Sequence, residues 1–314
     1  MSSSAGYRPA VCRPTSKMAS PVLRAGLAEI DSVLCSACRM PDNRAVPTKL
    51  RTSDVFGAIK AEYRRIFTER RDDLIAVSFN AVLVAICWYL LPDKITNWLF
   101  TLHGALAFPL IMEIWMLGDT PATNVAGRDA VRAVAQLDDP TAMRRWLRVK
   151  HVVLASFVGP TAALIALVIG AVQHQYTDAA AVAVVLLFLP LGVLSVAAWV
   201  GLWLPYHPQK LLWRWKHRTD WRAALLRWGL LVLLPFMVVP VIAILLLTPS
   251  LMIWIIAHQG YQPQQLNSAG LWIGTAVSVA VSLIAFALAP VVATKIARRR
   301  YDRLHGYLSN PEHG

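Results

Sequence analysis

Six apolar runs, each close to or beyond the length that crosses a lipid bilayer, constrain this chain more than any other feature of its sequence. A membrane-spanning helix needs roughly 20 predominantly apolar residues, because the hydrocarbon core of a bilayer is about 30 Å thick. The short alternating segments of a membrane β-barrel do not occur in the sequence. The sequence therefore predicts an all-α membrane protein with six transmembrane helices. The runs occupy residues 74–91, 96–117, 151–172, 179–204, 226–256 and 270–294.

Basic residues predict how these spans are oriented. Twenty-four lysine and arginine residues lie in four segments, which are 49–71, 118–150, 205–227 and 295–303. Only Lys94 occurs in the three connections that alternate with them, which are 92–95, 173–178 and 257–269. Because cytoplasmic connections carry the excess of lysine and arginine in membrane proteins, both termini and the two long connections are expected on the cytoplasmic side.

The net charge of +13 follows from this topology and not from a nucleic-acid interface. The positive charge lies where the positive-inside rule and anionic lipid headgroups favour it. No nucleic-acid-binding motif accompanies the charge. We therefore expect a multi-pass protein of the cytoplasmic membrane, with membrane lipids among its partners and without nucleic acid.

Composition divides the chain into three parts. Residues 1–48 are rich in Ser, Ala, Pro and Arg, lack a sustained apolar period, and are expected to form a disordered N-terminal tail. Residues 1–39 either belong to that tail or lie upstream of the true start, because Met40 opens a second plausible beginning. Residues 49–303 form the predicted six-span domain, and residues 304–314 form a cytoplasmic C-terminal tail.

Motifs for catalysis, nucleotide binding and metal binding are missing from the sequence. Cys35 and Cys38 form an isolated CxxC, without the second cysteine or histidine pair of a zinc site. The sequence has no GxxxxGK[ST] phosphate-binding loop, no HExxH metal motif and no GxSxG nucleophile motif. We therefore expect no catalytic residue, no metal, no cofactor and no ATPase activity of its own. An intramembrane enzyme ranks last among the alternatives.

Three polar residues inside the spans are candidates for a transport pathway or for contacts between helices: Asn80, His103 and Glu113. Ionisable residues inside a membrane are costly and often mark functional sites. Glu113 lies five residues before Gly118, so its first interpretation is a side chain that reaches the cytoplasmic interface, with a pathway role as the alternative. His103 is interpreted as hydrogen-bonded or interfacial, and Asn80 as a hydrogen-bond partner between helices.

A basic amphipathic helix is predicted just before the first span, in DVFGAIKAEYRRIFTERRDDL. Phe56, Ile59, Tyr63 and Ile66 recur at spacings of three and four residues, and basic residues occupy much of the remaining surface. This pattern is typical of a helix that lies in the cytoplasmic interface. A simple anchor next to the membrane fits the same pattern.

The connection between the second and third spans is predicted to contain a short helix in GRDAVRAVAQLDDP. Val131, Val134 and Leu137 share one side of this helix, and Arg128 and Arg132 lie on another. The apolar side is expected to dock into a groove of a partner, and the arginines to pair with acidic residues at its rim. The alternative is an amphipathic helix that rests on lipid.

A second helix is predicted to begin where Asp139 precedes Pro140. Asp is a favourable N-cap, and Pro is favoured at the first helical position. This helix carries its basic residues directly into the third span, and these residues are Arg144, Arg145, Arg148 and Lys150. The two helices and the bend between them would form a rigid cytoplasmic protrusion that could receive mechanical force from another protein.

On these residues the chain resembles the membrane subunit of an ABC-type exporter of the type-2 permease class. The coupling segment of that class runs from a glycine to a proline, then through a basic pair to a lysine that enters the third span. The residues that match in order are Gly127, Leu137, Pro140, Arg144, Arg145 and Lys150. The interval from Gly127 to Pro140 is about one helical turn longer than is usual, and Val125 and Ala126 replace the customary acidic residue.

The resemblance implies six spans with an amphipathic helix before the first and a coupling helix between the second and third. It also implies separate cytoplasmic ABC ATPase subunits, and a second copy or a paralogue that completes a dimeric permease. The apolar spans favour a hydrophobic or amphipathic cargo. The alternatives are a proton-coupled secondary transporter, in which Glu113 or His103 titrates, and a membrane scaffold or regulator that does not transport.

Overall fold

The fold is known from a computed structural model that describes residues 55–69, 71–92, 106–118, 120–205, 221–258 and 268–310. Side chains are described throughout these ranges except at residues 120–121, 221–232, 254–258 and 268. All regular structure in the described residues is helical, as the sequence predicts. The described helices belong to one compact unit.

Eleven helices follow one another along the described part of the chain. They are α1 (Val55–Thr68), α2 (Arg71–Leu90), α3 (Ala107–Leu117), α4 (Thr120–Thr123), α5 (Val125–Arg128), α6 (Ala130–Leu137), α7 (Pro140–Val172), α8 (Tyr176–Trp203), α9 (Trp221–His258), α10 (Ser268–Arg299) and α11 (Tyr301–Ser309).

Five of these helices are long and apolar enough to cross a membrane, namely α2, α7, α8, α9 and α10. They correspond to the predicted first, third, fourth, fifth and sixth spans. The predicted second span, residues 96–117, is represented by the shorter apolar helix α3, and its earlier residues lie outside the described ranges. The chain is therefore an all-α, multi-pass membrane protein.

The start of α7 agrees with the sequence in detail. The Asp139 carboxylate accepts hydrogen bonds from the backbone N–H groups of Thr141 at 2.8 Å and Ala142 at 3.2 Å. Pro140 occupies the first turn, where its missing N–H removes no helical hydrogen bond. The helix then continues for 33 residues to Val172, a length of roughly 50 Å. The prediction that a basic helix begins at Pro140 and runs directly into the third predicted span is confirmed.

The centre of the bundle is built by α7, α8 and α10, and close backbone contact at two glycines allows it. A Cβ atom on Gly159 would lie 2.8 Å from the carbonyl oxygen of Leu186. A Cβ atom on Gly201 would lie 2.5 Å from the carbonyl oxygen of Thr123. Membrane helices pack closely through such small residues, so α7 contacts α8, and α8 contacts the short helix α4, almost backbone to backbone.

An apolar cluster holds the short helices α6 and α11 against the end of the bundle. Leu137 of α6, Met143 and Leu147 of α7, and Leu304 and Leu308 of α11 are all buried in it. The hydroxyl of Tyr301 donates a hydrogen bond to Asp138 Oδ1 at 2.7 Å. The C-terminal segment, which the sequence presented as a tail, therefore begins with a helix that packs on α6.

Candidate functional site

Helix α1 has a buried carboxylate on the face that packs against the bundle. Ala58, Glu62 and Ile66 are buried at successive helical turns, whereas Phe56 is 85% exposed. Tyr63 packs edge-on against Phe157 of α7, and its hydroxyl is hydrogen-bonded to Ser156. The helix predicted before the first span is therefore present, but its inward face includes a charged residue that the apolar periodicity does not reveal.

Glu62 is bound by basic side chains from three helices. Its Oε1 accepts a hydrogen bond from Lys150 Nζ of α7 at 2.7 Å, and its Oε2 lies 3.5 Å from Arg132 Nη1 of α6. Arg65, one turn further along α1, lies 3.8 Å from the same Oε2. A single carboxylate thus joins α1, α6 and α7.

Asp129 is the second carboxylate of this network, and it lies at the bend between α5 and α6. Arg65 donates two hydrogen bonds to it, from Nη1 at 2.5 Å and from Nη2 at 2.8 Å. Lys150 Nζ lies 2.9 Å from its Oδ2. This bidentate arrangement is the strong, directional form of an arginine–carboxylate pair. Asp129 therefore holds the bend between α5 and α6 against both α1 and α7.

A further ion pair, made by a third carboxylate, extends the network to α2. Arg128, the last residue of α5, pairs with Asp73 in the first turn of α2. We call the complete set the charge cluster. Its members are Glu62, Arg65, Asp73, Arg128, Asp129, Arg132 and Lys150.

The charge cluster contains four cations and three carboxylates, and most of it is shielded from solvent. The side chains of Glu62, Asp129 and Lys150 are 7%, 3% and 10% exposed. Burial by itself lowers the pKa of the Arg65 guanidinium, but its hydrogen bonds to Asp129 and the negative charges of Asp129 and Glu62 outweigh burial and raise that pKa. The cluster is held together by mutual pairing, because an unpaired charge in this position would be costly.

A small cavity of about 40 Å³ lies beside the charge cluster. Glu62, Asp73, Arg128 and Lys150 line it together with His151. His151 is 1% exposed, and its Nδ1 is hydrogen-bonded to Ser195 of α8 at 3.1 Å. Its Nε2 has no hydrogen-bond partner among the described residues. The cavity has room for a few water molecules, which could satisfy this nitrogen.

The predicted coupling residues are brought together on α5, α6 and the start of α7, but their environments differ from those expected. Leu137 is only 3% exposed and packs inside the chain, because α11 covers it. Val131 is 62% exposed, and Val134 is half-buried. Leu137 is therefore committed to the internal core in this structure and is not available as an anchor for a partner.

The predicted roles of the basic coupling residues change in a similar way. Arg128 and Arg132 pair within the chain, with Asp73 and Glu62, where the sequence suggested acidic residues of a partner. Gly127 is buried in α5. Pro140 is the first residue of α7. The side chains of Arg144 and Arg145 are half-buried one turn later, and Lys150 belongs to the charge cluster.

Two of the three polar candidates in the first two predicted spans, Glu113 and Asn80, are buried. Glu113 is 0% exposed, and neither of its carboxyl oxygens has a hydrogen-bond partner among the described residues. The interpretation that Glu113 reaches the interface is therefore wrong for this conformation. Asn80 is 6% exposed, and its Nδ2 is likewise without a partner in the described part of the chain. His103 lies outside the described residues.

Sequence reasoning missed the acidic half of the charge cluster, Glu62, Asp73 and Asp129, as well as His151. One signal was present: Glu62 lies in register with Ala58 and Ile66, on the face that a helix of this kind buries. Comparison of the chain with protein-family models, with curated proteins and with solved structures finds no match. The function has to be argued from the geometry.

Proposed function

We propose that this chain is the permease subunit of an ATP-driven exporter in the cytoplasmic membrane. Separate cytoplasmic ABC ATPase subunits supply the energy, and a second copy or a paralogue completes the translocation pathway. The cargo is hydrophobic or amphipathic. The observation that carries this proposal is the charge cluster, which fastens the connection between spans two and three to the cytoplasmic end of α7.

The continuity of α7 supports the transmission of force. Asp129 and Glu62 bind Lys150, which lies ten residues into a helix of 33 residues. Helix α7 continues to Val172, with one backbone hydrogen bond missing at Pro160, so a push on α5 and α6 moves a lever roughly 50 Å long. A displacement at the cytoplasmic end would therefore reach the far end of the third span. Such rigid-body motion of packed helices is a common form of conformational switching.

The exposed side of α6 is the surface that we assign to the ATPase. Leu137 and Ala133 face the core, which leaves Val131 exposed and Val134 half-buried at its edge. Ala135 is also exposed on this helix. A short exposed helix with an apolar residue suits insertion into a groove of a partner. Of the three predicted anchors, Leu137 is therefore withdrawn and Val131 is kept as the main docking residue.

Co-purification tests the proposal. The tagged chain is purified from its native membranes in mild detergent, and Mg-ATP hydrolysis is measured in the eluate at matched chain levels. Burial of a valine side chain is worth roughly 1.5–3 kcal/mol, so Val131→Asp should reduce the recovered ATPase activity about tenfold.

The matched control is Val55→Asp. Val55 is also exposed, at 48%, and it lies at the first residue of α1, where a negative charge interacts favourably with the helix dipole. This variant should retain its ATPase partner. Wild-type eluate without ATP hydrolysis, or equal recovery from Val131→Asp and wild type, would contradict the proposal.

A specific observation also favours a second candidate, the proton-coupled secondary transporter. Glu113 is fully buried in α3 without a described partner, and an ionisable group in that position is a typical feature of proton pathways. Substitution of Glu113 by Gln removes the ability to carry a proton but keeps the side-chain shape. Transport that survives Glu113→Gln supports the ATP-driven permease, and transport that is lost at normal abundance supports the proton-coupled carrier.

A further inference from the structure

A large cavity lies at the end of the bundle opposite the charge cluster. It has a volume of about 380 Å³ and is formed by α3, the first turns of α8, the later part of α9 and the beginning of α10. Helix α8 extends from the charge cluster to the cavity. Ser195 of α8 contacts His151 near the cluster, whereas Asp178 of α8 lines the cavity. These two residues are 17 positions apart on one helix, or roughly 25 Å.

The described walls of this cavity are mainly apolar. Leu110, Val185 and Leu247 lie on three different helices around it. A cavity of a few hundred Å³ with apolar walls and few polar groups is typical of sites for small molecules. The walls therefore favour an occupant with a hydrocarbon or aromatic body.

Polar groups occur on one side of the cavity. Ser250 of α9 and Ser278 of α10 are hydrogen-bonded to each other at 2.5 Å, and the Thr275 hydroxyl donates to the carbonyl oxygen of Leu271 at 2.9 Å. These hydroxyls satisfy one another or the backbone. They supply a neutral polar edge and add no charge.

Among the described residues that line the cavity, Asp178 is the one with a charge. It lies in the first turn of α8 and is partly exposed. No basic side chain in the described part of the chain pairs with it. A carboxylate without a cationic partner at the edge of an apolar cavity is complementary to a positive charge on a ligand.

We propose that this cavity binds a cationic amphiphile, with its apolar body between α3, α8, α9 and α10 and its positively charged group facing Asp178. The proposal deepens the proposed function and rests on it for the idea that the occupant is cargo. Binding itself requires neither ATP nor an ATPase. The two proposals can therefore fail separately.

The test measures binding to the purified full chain in neutral detergent by native mass spectrometry. The probes are dodecyltrimethylammonium and dodecanoate, which share a hydrocarbon chain and carry opposite charges. The wild type should bind the cationic probe more tightly. Asp178→Asn should weaken that binding roughly threefold to tenfold, the range expected for a partly exposed charge pair, and should leave the binding of dodecanoate equal or stronger.

Two further variants separate charge from cavity shape. Asp302→Asn removes an exposed carboxylate from α11, far from the cavity, and should leave the preference for the cation unchanged. Gly274→Leu should reduce the binding of both probes, because the longer side chain narrows the cavity. The helix should tolerate the substitution, since a Cβ at Gly274 would lie 3.6 Å from the carbonyl oxygen of Ser250. Equal affinity of the wild type for both probes, or an unchanged preference in Asp178→Asn, would overturn the proposal.

Discussion

Replacement of Asp129 by asparagine is the sharpest perturbation of the charge cluster. Asparagine keeps the size of the side chain and removes its charge, so the cluster of four cations and three carboxylates changes its net charge from +1 to +2. The side chain is 3% exposed, and it accepts two hydrogen bonds from Arg65. Water therefore cannot fully replace the lost pairing.

The expected loss of stability depends on the ion pairs that Arg65 and Lys150 keep when Asp129 loses its charge. Breaking a buried ion pair by removing one partner costs about 3–5 kcal/mol. Glu62 lies 2.7 Å from Lys150 and 3.8 Å from Arg65, and these pairs, which the substitution does not remove, compensate part of the loss. We therefore expect Asp129→Asn to lower the free energy of unfolding by about 3 kcal/mol, at the lower end of that range.

The chain offers a matched control in Glu69→Gln. Glu69 pairs with the same arginine, Arg65, at 3.0 Å, but its side chain is 66% exposed. Exposed pairs contribute about 1 kcal/mol or less. Both free energies are measured by reversible unfolding of the purified chain in mixed micelles with increasing dodecyl sulfate. Equal losses in the two variants would refute the reasoning, because burial would then make no difference to the pairing.

Three other predictions follow from the fold. A cysteine at Gln175 should react with an impermeant thiol reagent added to intact cells, and a cysteine at Ala135 only after permeabilisation; the reverse pattern contradicts the orientation. Leu137→Asp should lower the amount of folded chain by disrupting the packing of α6 against α11, and normal abundance would show that this cluster is dispensable. Tyr301 should titrate above the value of about 10 of a free tyrosine, because its hydrogen bond to Asp138, burial and the nearby negative charges raise its pKa. The neutral phenol therefore stabilises the docked α11 below that pH, and this contribution disappears as pH rises through the raised pKa. The difference in tyrosinate absorbance between wild type and Tyr301→Phe measures the pKa of Tyr301. A titration midpoint at or below the value of a free tyrosine would contradict the prediction.

The parts of the fold that local sequence controls were predictable. Apolar runs of sufficient length located five of the long helices, because the bilayer imposes that length. The Asp139–Pro140 pair located the start of α7, because an N-cap and a proline act within one helical turn. The observed helices extend beyond the predicted spans, as α7 and α10 do, where polar residues continue the helix outside the hydrocarbon region.

The contacts that depend on distant parts of the chain were not predictable from these local patterns. Glu62 is paired with Lys150, 88 residues away, and Asp129 with Arg65, 64 residues away. Leu137 was assigned to a partner because nothing local indicates that α11 covers it. Glu113 lies near a helix end in sequence but is enclosed by neighbouring helices, so its burial also depends on packing.

We propose coupling of ATP hydrolysis to the far end of the bundle through the charge cluster. Its most direct test places a single cysteine at Val182, in the cavity lining, in a chain whose own four cysteines are replaced. Right-side-out vesicles from the native host are loaded with ATP or with ADP, and the labelling rate by an external impermeant thiol reagent is measured. We predict that ATP changes this rate and that Asp129→Asn abolishes the change at equal abundance. A labelling rate that is the same with ATP and ADP, or an ATP response that persists in Asp129→Asn, would contradict the account.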